Sequence, residues 1–355
     1  MMNKIKQIGL SSIFIIIIMC AVGMFATVKT LGEIYSDSKN FEKGLLNTVY
    51  TSALSFSEKF EKNVPHGRYI NSTLYFLSGL NNSDQVIIGK DNWLFYSSRT
   101  DGDSIADYEG TNRFTQEQLD KAADNMLETQ SYLKDKGIGF CLITAPNKEN
   151  VYYEYMPQKY HHTDITRTDK LLDYLIKRGV NAVNPKKDLL ELSDKFKTYY
   201  KHDTHWNELG AYIGTKCVLD TFNIKTSDIK EDIITQDTKS NADLIKIADL
   251  RGVFSPDYGL TTSKTLHNTE NISNTDKRNM LHIHNENPQT NKTVLVVGDS
   301  FREAMEPNLG YVFKNLFVVH RSDYSKDMID EISPDYVILE FVERYSDQIM
   351  HFKLY

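Results

Sequence analysis

Residues 293–297, Thr293-Val294-Leu295-Val296-Val297, are a run too short for a buried helix and with no polar residue alternating through it. Such a run is a strand covered on both faces. Residues 316–319 and 336–339 repeat the pattern, residues 140–144 form another short apolar run, and residues 180–183 a weaker one ending before Pro185. Helix-length segments separate these runs; residues 171–176 are one of them. Parallel strands need crossovers of that length, so the expected fold is α/β, a mainly parallel, doubly wound sheet flanked by helices. Ligand sites in such sheets lie beyond the carboxyl ends of the strands.

Other segments have clear local signals. Val86-Ile87-Ile88 and Trp93-Leu94-Phe95-Tyr96, divided by Gly89-Lys90-Asp91-Asn92, predict a hairpin. Thr115 and Gln118 have capping-box spacing with Phe114 and Leu119 placed as a staple, so a helix is expected to about residue 134. Residues 301–309 are expected as a helix after the 293–297 strand, and Leu209, Ile213 and Cys217 as one face of a helix capped by Asn207. Residues 222–290, rich in Asn, Thr, Asp and Lys without helical period, read as a β-containing insertion that forms one wall of a cleft.

The formal net charge of −7, with no basic stripe, argues against a nucleic-acid partner. From residue 8 to residue 28 there is no charged side chain, which is long enough for one membrane-spanning helix. Lys4 and Lys6 precede it, so the N-terminus is expected in the cytoplasm and the body of the chain outside the membrane. A cleaved signal peptide is the rival reading, but no small-x-small site follows the run. The expected organisation is an anchor at 1–30, a helical stalk or docking segment at 31–85, and a catalytic domain at 86–355. Cys20, Cys141 and Cys217 sit in the apolar segment, a strand and a helix, and suggest no disulfide framework.

Two strings carry the chemistry: Asp203-Thr204-His205-Trp206, and Gly298-Asp299-Ser300-Phe301 directly after the 293–297 strand. A serine hydroxyl is a poor nucleophile until an imidazole takes its proton, and the imidazole needs a carboxylate to fix its tautomer. Ser300, His205 and Asp203 fit those roles, with Ser300 at a strand's carboxyl end beside N–H groups that could serve an oxyanion. The competing readings are that Asp299 or Ser300 caps a helix and that Asp203 is a turn residue. A metal site built from His202, Asp203 and His205, joined by His161 and His162, lacks a second recognisable ligand pair, and no metal or cofactor is expected. His282 and His284 alternate as if on one strand face.

The Asp-x-His pair preceding the Gly-Asp-Ser string resembles the alginate O-acetyltransferases of the AlgJ and AlgX type and the related DHHW-type proteins, whose domains are SGNH-hydrolase-like. Gly89-Lys90-Asp91-Asn92-Trp93-Leu94-Phe95, Pro146-Asn147-Lys148 with Tyr152, Ala248-Asp249-Leu250 and Glu343-Arg344 add to the likeness, which spans roughly residues 86–344. The resemblance implies Ser300 as the acetylated nucleophile, His205 as general base and acid, and Asp203 as its orienter. Asn147, Lys148, Arg302 and Arg344 are candidates for oxyanion or substrate binding, and Glu343-Arg344 reads equally as a structural ion pair. Trp206, Tyr199, Tyr200 and Tyr258 could stack on sugars or simply pack the core. The implied activity is acetyl transfer to a cell-surface or secreted polysaccharide, with a membrane-bound O-acyltransferase presenting the acetyl group. The alternatives are a polysaccharide deacetylase or esterase, and a non-catalytic scaffold of an export complex.

Overall fold

The computed structural model describes residues 83–225, 233–255, 257–262, 272–275 and 279–355. The expected anchor at 1–30, and the 31–85 segment except for its last three residues, lie outside them. Among the described residues no helix is long and apolar enough to cross a membrane. Residues 249–253 group apart from the rest, and within that group Arg251 Nη1 lies 3.4 Å from Asp249 Oδ1.

The hairpin forms as expected. β1 (Val86–Ile88) pairs antiparallel with β2 (Leu94–Tyr96), and between them Asp91 and Asn92 take φ of 51° and 61°, which Asp and Asn tolerate better than most residues. A short helix α1 (Ser104–Tyr108) precedes α2 (Gln116–Asp135), whose capping box is complete: Thr115 Oγ1 accepts from the Gln118 N–H, and Gln118 Oε1 from the Thr115 N–H. The chain then alternates. β3 (Gly139–Ala145) leads to α3 (Lys148–Val151) and α4 (Arg167–Lys177), then β4 (Ala182–Val183), α5 (Lys186–Ser193) and α6 (Glu208–Thr221).

The 222–290 region contains β5 (Ile233–Lys239), α7 (Asp243–Ile247), β6 (Tyr258–Thr262), β7 (Ile272–Thr275) and β8 (Met280–His284). Its strands serve two sheets. β5 and β6 pair with each other, whereas β7 and β8 extend the main sheet. After them come β9 (Thr290–Gly298), α8 (Glu306–Val312), β10 (Phe313–His320), α9 (Asp327–Ile332) and β11 (Tyr336–Val342). The main sheet has the order β4-β3-β11-β9-β10-β8-β7; its first five strands are parallel, and β8 and β7 add on antiparallel.

Alternation along the strands splits the core in two. Cys141, Ile143, Val294, Val296, Ile338 and Val342 face a cluster that α6 closes with Ala211, Ile213, Val218 and Leu219. Phe140, Leu142, Leu295, Val297, Val337 and Leu339 face the other, closed by Met126 and Leu133 of α2 and Leu171 and Leu175 of α4. Both faces are therefore dry, as the uninterrupted apolar runs require.

One expectation is corrected directly after β9. The helix expected over 301–309 is broken into a 3-10 turn, Ser300–Met305, and α8. Pro307 is the reason: it has no N–H to give, and its ring would clash with the carbonyl four residues back in a continuous helix, so the regular helix starts afresh with Pro307 in its first turn.

Candidate active site

β3, β11 and β9 are parallel neighbours, so the segments that follow them leave the same edge of the sheet. Asn147 and Lys148 follow β3, Glu343 and Arg344 follow β11, and Ser300 follows β9. The turn under Ser300 is fixed by its neighbour. Asp299 Oδ1 accepts from the Phe301 N–H at 3.0 Å and Oδ2 from the Val342 N–H at 2.7 Å, while its own N–H donates to Glu340 Oε2 at 3.0 Å. Asp299 thus caps the turn, and Ser300 is left to point elsewhere.

Asp203 and His205 lie on a loop pinched at its base. Tyr199 and Trp206 form an isolated antiparallel bridge, and the Asn207 N–H donates to Thr198 O at 2.9 Å before Asn207 Oδ1 caps α6 at the Gly210 N–H. Within the loop Asp203 Oδ1 accepts from His205 Nδ1 at 2.7 Å, and His205 Nε2 lies 2.8 Å from Ser300 Oγ. Because an ionised carboxylate can only accept, Nδ1 carries the ring proton and Nε2 is the acceptor for the serine hydroxyl. Burial by itself would depress the His205 pKa, but the hydrogen bond and charge of Asp203, with help from Asp243, leave it raised. Burial would raise Asp203; the hydrogen bond and charge of His205 outweigh it and hold the carboxyl down to about 2. The ring stays 24% exposed, enough to meet a ligand.

The other predicted residues divide into two groups. Lys148 belongs to the scaffold: its buried Nζ donates to Tyr200 O at 3.1 Å, Lys201 O at 3.2 Å and Asp203 O at 2.6 Å, tying the Asp203–His205 loop to the end of β3. Trp206 is fully buried and donates from Nε1 to Phe301 O at 2.8 Å, joining the histidine's loop to the serine's turn. Tyr199 is fully buried on Pro146 O, and Tyr200 is buried too, whereas Tyr258 is exposed. Arg302 turns back, its Nη1 donating to Asp299 O at 2.6 Å.

Asn147 and Arg344 instead face a small polar chamber that they share with Tyr96, Ser104, Glu149 and Thr204. Among the described residues, Asn147 Oδ1 and Nδ2, Glu149 Oε1 and Arg344 Nε are buried there without hydrogen-bond partners. The Arg344 guanidinium sits 5.6 Å from the Phe301 ring centroid, directly beside the Ser300 turn. Glu343 does not pair with Arg344; its carboxylate accepts from the Asn147 N–H, Asn150 Nδ2 and Thr166 Oγ1.

The histidines of the weighed metal reading do not assemble. His202 Nδ1 is 3.1 Å from Ser255 O and its ring stacks on Phe254, while His162 stacks on Tyr153 with ring centroids 4.4 Å apart. His282 and His284 do share a face, both reaching Asn315 Oδ1. Among the described residues, the metal-capable groups that converge are Asp203, His205 and Asp243, with donor atoms within 4.8 Å of one another. Their bonding is that of a hydrogen-bonded unit, since the Nδ1 facing the carboxylates already carries the proton given to Asp203.

Sequence reasoning missed three acidic residues. Asp243, at the start of α7, reaches Thr204 and His205 from the 222–290 region; Ala242-Asp243 has no motif around it. Glu340 is fully buried in β11 beneath Asp299, and burial together with the Asp299 charge pushes its pKa far above the usual range. Glu149 is likewise buried, which raises it to about 7. A charged residue within or beside an apolar run was the available signal for the last two.

Compared with curated proteins, the chain matches none. Among solved structures it is similar to PatB1 from Bacillus cereus, solved with a sulfonyl adduct, at 16% identity and a TM-score of 0.52 over 77% of this chain and 99% of that one. A second PatB1 structure gives a TM-score of 0.51 at 16% identity, covering 76% of this chain and 99% of that one. The O-acetyltransferase domain of Pseudomonas putida AlgJ aligns at 16% identity and a TM-score of 0.46, over 76% of this chain and 93% of that one. The family model described as the SGNH hydrolase-like domain of acetyltransferase AlgX matches residues 86–315, and the chain belongs to that family.

Proposed function

We propose that this protein transfers acetyl groups to hydroxyls of a cell-surface or secreted polysaccharide through an acetyl-Ser300 intermediate. The observation that carries this reading is the continuous hydrogen-bonded line Asp203 to His205 to Ser300, drawn from two distant stretches of an acetyltransferase-family chain. In the first half-reaction Ser300 Oγ attacks the donor's acyl carbon as His205 Nε2 takes the hydroxyl proton. The leaving group departs with that proton. In the second half a sugar hydroxyl gives its proton to Nε2 and attacks the acetyl carbon, and Ser300 Oγ leaves with the proton restored.

The tetrahedral oxygen needs donors. The Ser300 N–H opens the 3-10 turn, where the first N–H groups have no partner within the turn. Arg344, whose guanidinium lies beside the Phe301 ring, and Asn147, which shares its chamber, each carry an unpaired buried donor and complete the candidate set. The acetyl group would come from a membrane-bound O-acyltransferase, with residues 1–30 anchoring the chain so that its catalytic domain lies outside the membrane.

The full-length chain incubated with 4-nitrophenyl acetate, with and without polysaccharide, tests the reading. Acetylated polymer and an acetyl-enzyme detected by intact mass are expected, and Ser300→Ala should lower the rate by at least about 10⁴-fold. Acetate release indifferent to polymer would instead mark an esterase. Undiminished acetylation by Ser300→Ala would eliminate the serine mechanism.

A further inference from the structure

Resting on the Ser300–His205–Asp203 reading, we infer that Asp243 is a second carboxylate of the histidine, a positioning residue by which the 222–290 region holds and charges the catalytic base. His205 Nδ1 faces two acids. Asp203 Oδ1 is at 2.7 Å and Asp243 Oδ2 at 3.6 Å. Asp243 also grips the residue between them: its Oδ1 accepts from the Thr204 N–H at 2.8 Å and its Oδ2 from Thr204 Oγ1 at 2.5 Å, and that hydroxyl lies 3.2 Å from Nδ1. The Asp243 N–H in turn points at Asp203 Oδ2, 3.3 Å away. The two acids and the threonine thus close a ring around the imidazole's distal nitrogen.

This arrangement does two things. The hydroxyl and both oxygens of Asp243 restrict the Asp203-Thr204-His205 turn to one shape. The negative charge beside Nδ1 favours the imidazolium that forms when Nε2 takes the serine proton. Other charged groups act on the same cluster: Arg344 opposes protonation of His205, and Lys148, bonded to Asp203 O, bears on both acids. Ala242, the residue before Asp243, has φ of 52° and ψ of 48°, a left-handed conformation unfavourable for a residue with a side chain, directly before the acid.

The experiment measures acetylation of the full chain by 4-nitrophenyl acetate across pH for wild type, Asp243→Asn, Asp203→Asn, the double variant and Ser300→Ala. Losing the Asp243 charge should lower the maximal rate and move the limb of kcat/KM to lower pH, because the imidazolium is less favoured. Asp203→Asn should lose roughly 10²-fold, against the roughly 10⁴-fold loss of a triad with one carboxylate, since Asp243 remains within reach of Nδ1. The double variant should fall at least about tenfold below Asp203→Asn alone. Thr204→Val, which keeps both acids and the backbone bond to Asp243 Oδ1 but removes the hydroxyl that holds Oδ2, should shift the limb in the same direction by less, and serves if Asp243→Asn does not fold. An unmoved limb in Asp243→Asn or Thr204→Val, or a double variant no worse than Asp203→Asn, overturns the inference. A fully active Ser300→Ala would show that the underlying serine reading has failed instead.

Discussion

Asp203 holds His205 twice with one atom: its Oδ1 accepts from the His205 backbone N–H at 3.1 Å and from Nδ1 at 2.7 Å. A carboxylate two residues before an imidazole can do this only in a tight turn, because side chains two apart diverge on a helix. The spacing Asp-x-His is therefore a geometric requirement of the loop. It sets tautomer, ring orientation and backbone together.

The pH dependence follows from that contact. In the proposed mechanism acetylation needs neutral His205, whose pKa is raised above the ordinary histidine value of about 6.5, so kcat/KM should climb with pH on a limb centred above that value. Folding stability runs the other way. A raised folded pKa contributes fully below about pH 6.5 and is lost as pH rises through the folded value, so the stability gap between wild type and His205→Gln should narrow from pH 6.5 to pH 9. Asp203, depressed to about 2, contributes above its unfolded value near 3.9 and loses that contribution as pH falls toward 2. Urea midpoints across pH read both slopes, and a limb at or below 6.5 would contradict the assignment.

Glu340 should behave as a neutral acid. Its Oε2 accepts the Asp299 N–H, and Glu340→Gln retains an acceptor of the same shape, so a stability change within about 1 kcal/mol is expected. Glu340→Ala leaves that N–H unpaired over a cavity and should cost about 2–4 kcal/mol, with acetylation falling as the turn loosens. Gly298→Ala should be poorly tolerated through overlap with the same residue, since a Cβ there would lie 2.6 Å from Glu340 Oε2 and 3.2 Å from the Glu340 carbonyl oxygen. Denaturant titration ranks the three variants. Equal losses for Gln and Ala would mean that Glu340 must be ionised.

Trp206 should matter for stability and not for polymer binding. Trp206→Phe keeps most of the ring but leaves Phe301 O without its donor, at a cost of about 1–3 kcal/mol. The KM for polysaccharide should stay at the wild-type value because the indole is fully buried. A selective rise in that KM, with the urea midpoint unmoved, would restore the sugar-stacking role.

The chain's order of residues determined the parallel sheet, the capping box at Thr115 and Gln118, the Asn207 cap and the strings holding Asp203, His205 and Ser300. These depend on periodicity and nearest neighbours, which a linear sequence displays. Only the tertiary structure decided that Lys148 serves backbone carbonyls, that Trp206 is an internal strut, that Arg344 and Asn147 share a chamber, and that Asp243 arrives beside His205. Each of those outcomes depends on which strands become neighbours and on where an irregular segment crosses the sheet edge. Burial and long-range pairing set the role of a charged or aromatic side chain, and neither is local. The broken helix after Ser300 lies between the two: Pro307 was visible in the sequence, and Asp299's grip on Val342 was not.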